Sequence, residues 1–253
     1  MKKMGAAPAR QFKSTRPHGI FLTVINGVAD CQLLISEDLT VPVLGRISVF
    51  GERAGHKRET VAERSTPAPY LAACLVARPK AADPVCVMKA YIHPCASSRD
   101  LMLVDSNYER RKLTELKRLQ QFLSHKQGIR MVIEKPMLDI RNGDNFDDPG
   151  ITAREPCILD FILQTDSFPD GRTAVVIVET MGFAGETYRS RKVVSHKIMS
   201  STLKAPVLIH DFHIPAAQSQ AERDRRFWLS ARRVIIHSNN LVQNQPLTDA
   251  YFA

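Results

Sequence analysis

The stretch EPCILDFILQTDSFPDGRTAVVIVET, residues 155–180, decides the fold of this chain. It contains two short apolar runs, Cys157–Gln164 and Thr173–Thr180, separated by the turn sequence Pro169-Asp170-Gly171. Short runs rich in Ile, Leu and Val between turn residues are typical of strands, and a compact turn joins antiparallel neighbours. The stretch therefore predicts a pair of antiparallel strands, around which the other elements can be placed.

Helical and strand-like segments alternate on both sides of this pair. Leucines recur at helical spacing in the segment that precedes it, and a β-branched run follows that segment. The predicted elements are the helices Ser106–Lys126, Glu186–Leu203 and Glu222–Arg233 and the strands Ile129–Lys135 and Val207–Phe212. This order is that of an α/β protein, and we predict a mixed sheet flanked by helices.

The region 19–98 has a different pattern. Short apolar runs alternate there with turn residues, which predicts a β-rich N-terminal region, although the run Tyr70–Val76 suits a helix as well as a strand. The predicted organisation is a basic flexible arm at 1–18, the β-rich region at 19–98, a core at 99–214, and a basic C-terminal helix and tail at 215–253.

Composition limits the class of partner. The chain has 253 residues, a net charge of +9 and a pI near 9.5. Lys and Arg neutralise phosphates, so this charge favours nucleic acid, with a merely solvated basic surface as the alternative. No apolar run reaches the roughly 18 residues that a membrane helix needs. Five cysteines without a CxxC pair or an apolar leader predict reduced thiols and a cytoplasmic location.

Three carboxylates fall on apolar faces of the predicted elements. Glu109 lies on the leucine stripe of the first helix, Asp160 alternates with Ile158 and Ile162, and Glu179 alternates with valine and isoleucine. An acid on such a face is costly to bury unless it is paired, hydrogen-bonded or bound to a metal. Since their strands are predicted neighbours, Asp160 and Glu179 can share a divalent cation.

Each acid also has a structural interpretation. Ser106 and Glu109 form the S-x-x-E pattern of a capping box, which would explain them as a helix start. Asp160 and Glu179 would equally suit a buried pair neutralised by Arg or Lys.

Two further groups contain metal-ligating residue types. Cys86, His93 and Cys95 lie in a strand-like apolar run without a fourth ligand nearby, which favours simple burial. In HDFH, residues 210–213, neighbouring side chains of a strand point to opposite faces, so the group cannot converge without a bend.

Three segments together resemble a known family. SNYERRKLTEL (106–116), EPCILDFIL (155–163) and AVVIVETMGF (174–183) are similar to the core of PD-(D/E)xK, restriction-endonuclease-like proteins, including uncharacterised plasmid and mobile-element proteins with such a core. The resemblance implies that Glu109, Asp160 and Glu179 are catalytic. It also implies that Asp160 and Glu179 bind Mg²⁺ or Mn²⁺.

The lysine of the family motif is missing. Met181 stands in its place, two residues after Glu179, and a thioether carries no charge and donates no hydrogen bond. Some members of the superfamily supply the lysine from the following helix, so the resemblance implies that Lys192 is catalytic here. The alternative for Lys192 and the nearby His196 is a solvated helix face.

The segment RDRRFWLSARR, residues 223–233, combines arginines with two aromatic side chains. Arg225, Arg226, Arg232 and Arg233 would bind the phosphates of a nucleic acid from the last predicted helix. Trp228 is also explained by packing of this helix onto the core.

These features predict a Mg²⁺-dependent nuclease, or a nuclease-derived DNA-processing protein, of a plasmid or mobile element. DNA suits the prediction better than RNA, and protein partners from a mobile-element machine are possible. The alternative is a non-catalytic nucleic-acid-binding or structural subunit of a conjugation or phage assembly, because a fold does not fix a function. Met181 is the residue that separates the two interpretations.

Overall fold

The computed structural model describes residues 18–50, 66–80, 83–137, 157–166, 173–182, 185–212, 219–241 and 251–252. The predicted arm before His18, the turn Pro169-Asp170-Gly171 and His213 lie outside these residues. The chain divides into two compact units, Met1–Arg110 and Arg111–Ala253.

The first unit is built of strands. They are β1 (His18–Ile25), β2 (Gly27–Ala29), β3 (Gln32–Leu34), β4 (Thr40–Pro42), β5 (Ile47–Val49), β6 (Tyr70–Ala77), β7 (Cys86–Ser97) and β8 (Asp100–Leu103). One sheet has the order β1-β6-β7-β5, with β8 paired to β7, and β2, β3 and β4 form a small second sheet. The predicted β-rich region is thus confirmed.

The strand β6 resolves the ambiguity of the run Tyr70–Val76. It pairs antiparallel with β1 on one side and with β7 on the other. Burial alternates along it, with Ala72, Cys74 and Val76 in the core of the unit. This period of two belongs to a strand with one covered face.

The second unit contains a mixed sheet with helices. Its elements are α1 (Asn107–Gln127, which begins in the first unit), β9 (Arg130–Glu134), β10 (Phe161–Asp166), β11 (Ala174–Met181), α2 (Glu186–Leu203), β12 (Val207–Asp211), α3 (Gln220–Leu241) and β13 (Tyr251–Phe252). The sheet order is β13-β12-β11-β10-β9. Neighbours from β9 to β11 are antiparallel, and those from β11 to β13 are parallel. The predicted α/β class with a mixed sheet is confirmed.

The strand β11 lies in the middle of this sheet and is buried along nearly its whole length. A strand covered on both faces reads as a continuous apolar run, which is the pattern that AVVIV presents. Ile177 and Met181 pack with Ile198 and Met199 of α2, so the odd-numbered positions of β11 face that helix. Glu179 lies between them and shares this face.

The beginning of β10 differs from the prediction. The sequence placed a strand from Cys157, with Ile158 and Asp160 on one face, but β10 begins at Phe161 and Ile158 is 39% exposed. The side chain of Asp160 accepts the backbone N–H of Thr180, a bond that strand pairing would otherwise use. Competition of this kind between an Asp side chain and the backbone explains why the strand begins only at Phe161, one residue after Asp160.

Two elements of the C-terminal region were not anticipated in full. The helix predicted at Glu222–Arg233 extends over Gln220–Leu241, and the short strand β13 pairs parallel with β12. Phe227, Ala231 and Ile235 are buried, whereas Arg225 and Arg233 are exposed, so α3 is amphipathic. No helix in the described part of the chain is long and apolar enough to cross a membrane.

Candidate active site

Asp160 and Glu179 are adjacent at the start of β10 and the end of β11. The backbone N–H of Asp160 donates to Oε1 of Glu179 at 2.9 Å. The backbone N–H of Thr180 donates to Oδ2 of Asp160 at 2.6 Å, and the Thr180 hydroxyl donates to the same oxygen. The antiparallel register of the two strands, in which Phe161 is opposite Val178, brings these residues together. The sequence predicted this neighbourhood.

Helix α2 places two basic side chains on Glu179. Lys192 Nζ donates to Oε2 of Glu179 at 2.5 Å, and its side chain is 20% exposed. His196 is one helical turn further and buried, with Nε2 at 3.7 Å from the same oxygen, which is too long for a hydrogen bond. The alternative of a solvated helix face is therefore wrong for both residues, because both face the carboxylate across the α2 interface.

The pKa values of the two acids are shifted in opposite directions. Burial, reinforced by the charge of Glu179, raises the pKa of Asp160 to about 6. Burial by itself would raise the pKa of Glu179 as well, but His196 and Lys192 outweigh it and hold that pKa below its ordinary value. Burial opposes the charged form of Lys192, yet the two carboxylates hold its pKa above its ordinary value. Glu179 and Lys192 are thus an ion pair, and Asp160 is the acid under electrostatic strain.

The donor set of these two acids fits a magnesium ion in part. Mg²⁺ is usually held by one or two carboxylates and keeps several waters. Glu179 is 0% exposed and its two oxygens accept from Asp160 and Lys192, while Oδ2 of Asp160 accepts from Thr180. Among the described residues, no group of three or more His, Cys, Asp and Glu side chains is arranged to hold a metal. The two carboxylates are therefore of the ligand type that Mg²⁺ takes, but three of their four oxygens are already bonded within the chain and they do not form an all-protein cage.

Met181 fills the position that the family gives to lysine. It is buried and packs against Ile198 and Met199 of α2, and its carbonyl oxygen accepts the N–H of Phe212. The side chain is thus part of the apolar core beside Glu179. A cation in this part of the unit comes from Lys192 instead.

Glu109 belongs to the first unit and begins α1. Its backbone N–H donates to Ser106 Oγ at 3.1 Å, and its Oε2 accepts the N–H of Asp105 at 3.0 Å. These are the contacts of a capping box, with the carboxylate reaching one residue further back than usual. The structural interpretation of Glu109 is therefore supported, and its catalytic role stays a prediction.

The four predicted phosphate-binding arginines lie on α3 in two different environments. Arg225, Arg226 and Arg233 are exposed, and Arg226 contacts Glu222 at 3.2 Å. Arg232 is half-buried, with its guanidinium 5.2 Å above the ring of Phe122. The first three share the open side of the helix, whereas Arg232 packs on an aromatic ring.

The aromatic residues and the two alternative metal groups have structural contacts. Trp228 packs edge-on against Phe122 at 5.0 Å between ring centroids, which supports the packing interpretation. His93 and Cys95 are buried in the first unit, and Cys86 is half-buried. In β12 the neighbouring residues diverge: His210 lies 3.4 Å from Asp224 of α3, and Asp211 pairs with Arg189 of α2 at 2.6 Å.

Two residues of the site were not found from the sequence. Thr180 donates twice to Asp160, and nothing in the pattern separates it from an ordinary strand threonine. Burial raises the pKa of Tyr188, and the charges of Lys192, Asp160 and Glu179 all act on its phenol. A tyrosine one turn before Lys192, on the helical face that the lysine occupies, was the available signal.

The mixed sheet, the two adjacent acids and the lysine from the following helix define a restriction-endonuclease-like domain. The family described as restriction endonuclease-like C-terminal domain matches residues 105–231. The match covers half of the chain, and the chain belongs to this family. The domain provides a nuclease-like scaffold.

One relative shares sequence over a longer region. A protein of Escherichia coli, described as "Uncharacterized protein in cib 5'region", is 31% identical over 156 residues. The similarity covers 61% of this chain and 64% of that protein, so the chain spans less than two thirds of this relative. No solved structure is a significant match to the chain.

Proposed function

We propose that the protein is a metal-dependent nuclease that acts on DNA, with its lysine supplied by α2 in place of the motif position. The observation that carries this proposal is the contact between Lys192 Nζ and Glu179 Oε2, next to Asp160. Helix α2 thus supplies a lysine to the glutamate of the motif, although the motif position itself is occupied by Met181. Membership of a restriction-endonuclease-like family supports the reaction class.

Asp160 and Glu179 would hold Mg²⁺ or Mn²⁺. A divalent ion bound there polarises the phosphate and lowers the pKa of a bound water. Asp160 is well suited to bind such an ion, because its raised pKa reflects a buried negative charge that its neighbours do not neutralise. Opposite shifts in two adjacent acids are characteristic of sites where the two have different tasks.

Lys192 would act on the phosphodiester through its ammonium group. Its pKa is held above its ordinary value, so it stays protonated at neutral pH and serves as a charge donor and not as a base. A fixed cation beside the scissile phosphate stabilises the negative charge that develops in the transition state. Glu179 would keep the lysine ammonium in place, and Met181 would contribute packing alone.

The experiment that tests the proposal is a cleavage assay with matched lysine variants. Glu179→Gln and Lys192→Met are expected to lower Mg²⁺-dependent DNA cleavage by about a hundredfold or more. Lys197→Met, which removes an exposed cation from the same helix, is the control and should retain wild-type cleavage. If Lys192→Met cleaves as well as Lys197→Met, the assignment of the lysine is wrong.

A second candidate function is that of a non-catalytic nucleic-acid-binding or structural subunit. One observation favours it: three of the four carboxylate oxygens of Asp160 and Glu179 already accept hydrogen bonds within the chain. A wild type that cuts neither DNA nor RNA with any divalent ion would support this function. Gain of cleavage by Met181→Lys would then identify a decayed nuclease with an intact metal site. If this variant is also inactive and calorimetry detects no Mg²⁺ binding, the protein is a non-catalytic scaffold.

The exposed arginines of α3 are proposed to bind the phosphate backbone. Arg225, Arg226 and Arg233 share the open side of the helix, and the net charge of +9 supports a polyanionic partner. Arg232 packs above Phe122 and contributes less to this surface.

Protein partners from a mobile-element machine and a cytoplasmic location also belong to this proposal.

A further inference from the structure

A pocket in the second unit lies on the sheet face opposite Glu179. It has a volume of about 150 Å³ and is lined by Arg111, Lys112, Thr114, Glu115, Phe212 and Asp224. His210 and Phe212 point toward α1 and α3, whereas Ile209 packs with the α2 cluster that surrounds Glu179. The pocket and the candidate active site are therefore separate.

Lys112 is the unusual residue of this pocket. It is 1% exposed, and its ammonium lies 3.5 Å from the ring centroid of Phe227. Within the described residues its Nζ has no hydrogen-bond partner. An aromatic face lies against this amine but accepts no ordinary hydrogen bond, and burying an amine without an acceptor is costly, so the missing acceptor points to a ligand.

The carboxylates near Lys112 already have other partners. Among the described residues, both ring nitrogens of His210 are buried without a hydrogen bond, and its Nε2 lies 3.4 Å from Oδ1 of Asp224. That oxygen already accepts from Gln220 at 2.8 Å, and Arg111 approaches the other oxygen of Asp224 at 3.9 Å. Glu115 is bound by Arg118 at 2.6 Å. Each acid at the pocket thus has at least one partner other than Lys112.

We propose that this pocket binds a phosphate-class oxyanion, held by the Lys112 ammonium and the Arg111 guanidinium. The anion supplies the acceptor that Lys112 lacks, and charge-assisted hydrogen bonds of this kind are stronger than neutral ones. Its source is either free phosphate or the terminal phosphate of a nucleic-acid strand. The site does not depend on the proposed nuclease function, because none of its residues touches Asp160 or Glu179 in the described contacts.

Binding of the anion is expected to add a proton to Lys112. Burial lowers the pKa of this amine to about 7, although Asp224 and Glu115 act in the opposite direction and Arg111 adds to the lowering. Burial also lowers the pKa of His210 to about 3, with Lys112, Arg223 and Arg111 contributing, so this ring stays neutral. At pH 8 Lys112 is therefore mostly uncharged in the free protein, and an anion beside it restores the charge.

The first test is calorimetric titration with sulfate at pH 8 and constant ionic strength. Sulfate does not titrate in this range, so the heat measured in two buffers of different ionisation enthalpy reports proton uptake by the protein. We expect uptake of about one proton per anion. Lys112→Met should weaken sulfate and phosphate binding by about ten- to a hundredfold, while Lys126→Gln, an exposed lysine of the same helix, should leave both unchanged.

Folding of the variants is checked by thermal melting. Lys112→Met removes a buried amine without an acceptor, and we expect it to be at least as stable as the wild type. Arg111→Gln, at a half-exposed position, is a second variant that should weaken binding of the anion without disturbing the core. Failure of the wild type to bind either anion at millimolar concentration, binding without proton uptake, or equal affinity in Lys112→Met would each overturn the proposal.

A second arm identifies the source of the phosphate. Matched oligonucleotides with a 5′-phosphate and a 5′-hydroxyl are compared, with Glu179→Gln as the host protein to prevent cleavage. Tighter binding of the phosphorylated strand that disappears on Lys112→Met assigns the pocket to a strand end. Equal binding of the two strands, together with binding of inorganic phosphate, assigns it to the free anion.

Discussion

Replacing Asp160 by Asn is predicted to stabilise the protein at neutral pH and to abolish the proposed cleavage of DNA. The wild-type carboxylate is buried, and its pKa is raised to about 6 from an ordinary value of 3.8. A difference of this size corresponds to about 3 kcal/mol of unfavourable free energy for the ionised form. An Asn carbonyl can still accept from the N–H and hydroxyl of Thr180, so the variant removes the charge and keeps the contacts.

The sign of the pH dependence follows from the direction of this shift. An acid whose folded pKa is raised binds more protons when folded, so the stability of the wild type falls as pH rises from about 4 to about 6. Asp160→Asn lacks this loss. Its advantage in the free energy of unfolding should be close to zero below pH 4 and reach about 2 to 3 kcal/mol above pH 6.

Urea unfolding of the two proteins at pH 4 and pH 7.5 measures this difference. Asp166→Asn, a change of the same chemical type at the other end of β10, is the control for the loss of one negative charge. A variant less stable than the wild type at pH 7.5 would show that Asp160 is a structural partner. In that case the assignment of this residue to a catalytic site is wrong.

Four further outcomes are expected. Lys192→Met should cost about 3 to 5 kcal/mol of stability, since it leaves Glu179 buried without its cation, and Glu179→Gln in the same chain should restore most of the loss in a double-mutant cycle measured by urea unfolding. Met181→Ala should cost about 2 to 5 kcal/mol by the same measurement without a specific loss of cleavage, because the methionine is a core residue. Ser106→Ala should cost about 1 kcal/mol through loss of the helix cap, as measured by thermal melting. Exchange of the three exposed α3 arginines for Gln should reduce the slope of the logarithm of the DNA-binding constant against the logarithm of the salt concentration by up to about 3. Titrations at several salt concentrations measure this slope, and an unchanged slope would show that α3 does not contact DNA.

The fold was predictable for the elements whose hydrophobic pattern in the sequence matches their burial in the folded protein. The apolar runs of β10, β11 and β12 fit a buried mixed sheet, and the leucine stripe of α1 fits a helix with one covered face. The short strand β13 has no such pattern. Its two residues pair with β12 through the backbone, and pairing of that kind leaves no periodic signal in the sequence.

In the candidate site, the sequence was sufficient to predict that the two acids are neighbours, but less so to predict the position of the lysine. The predicted strand order was sufficient to place Asp160 and Glu179 on neighbouring strands. The position of Lys192 depends on the phase of α2 relative to β11, and a helix with polar residues around much of its circumference does not reveal that phase. The burial of His196 beside Glu179 could not be predicted for the same reason.

The two acids differ in the charge of their partners, and this difference supports the proposed site over a purely structural ion pair. Glu179 has a direct partner in Lys192, whereas Asp160 accepts from the uncharged donors of Thr180. Lys192 and Lys135 lower the pKa of Asp160 without cancelling the effect of burial and of Glu179, so the folded protein keeps a destabilised carboxylate. Selection for stability alone would replace that residue by Asn or by an apolar side chain, because a buried charge without a partner is unfavourable. A divalent cation would remove this surplus negative charge, and this is the physical reason for proposing a metal between Asp160 and Glu179.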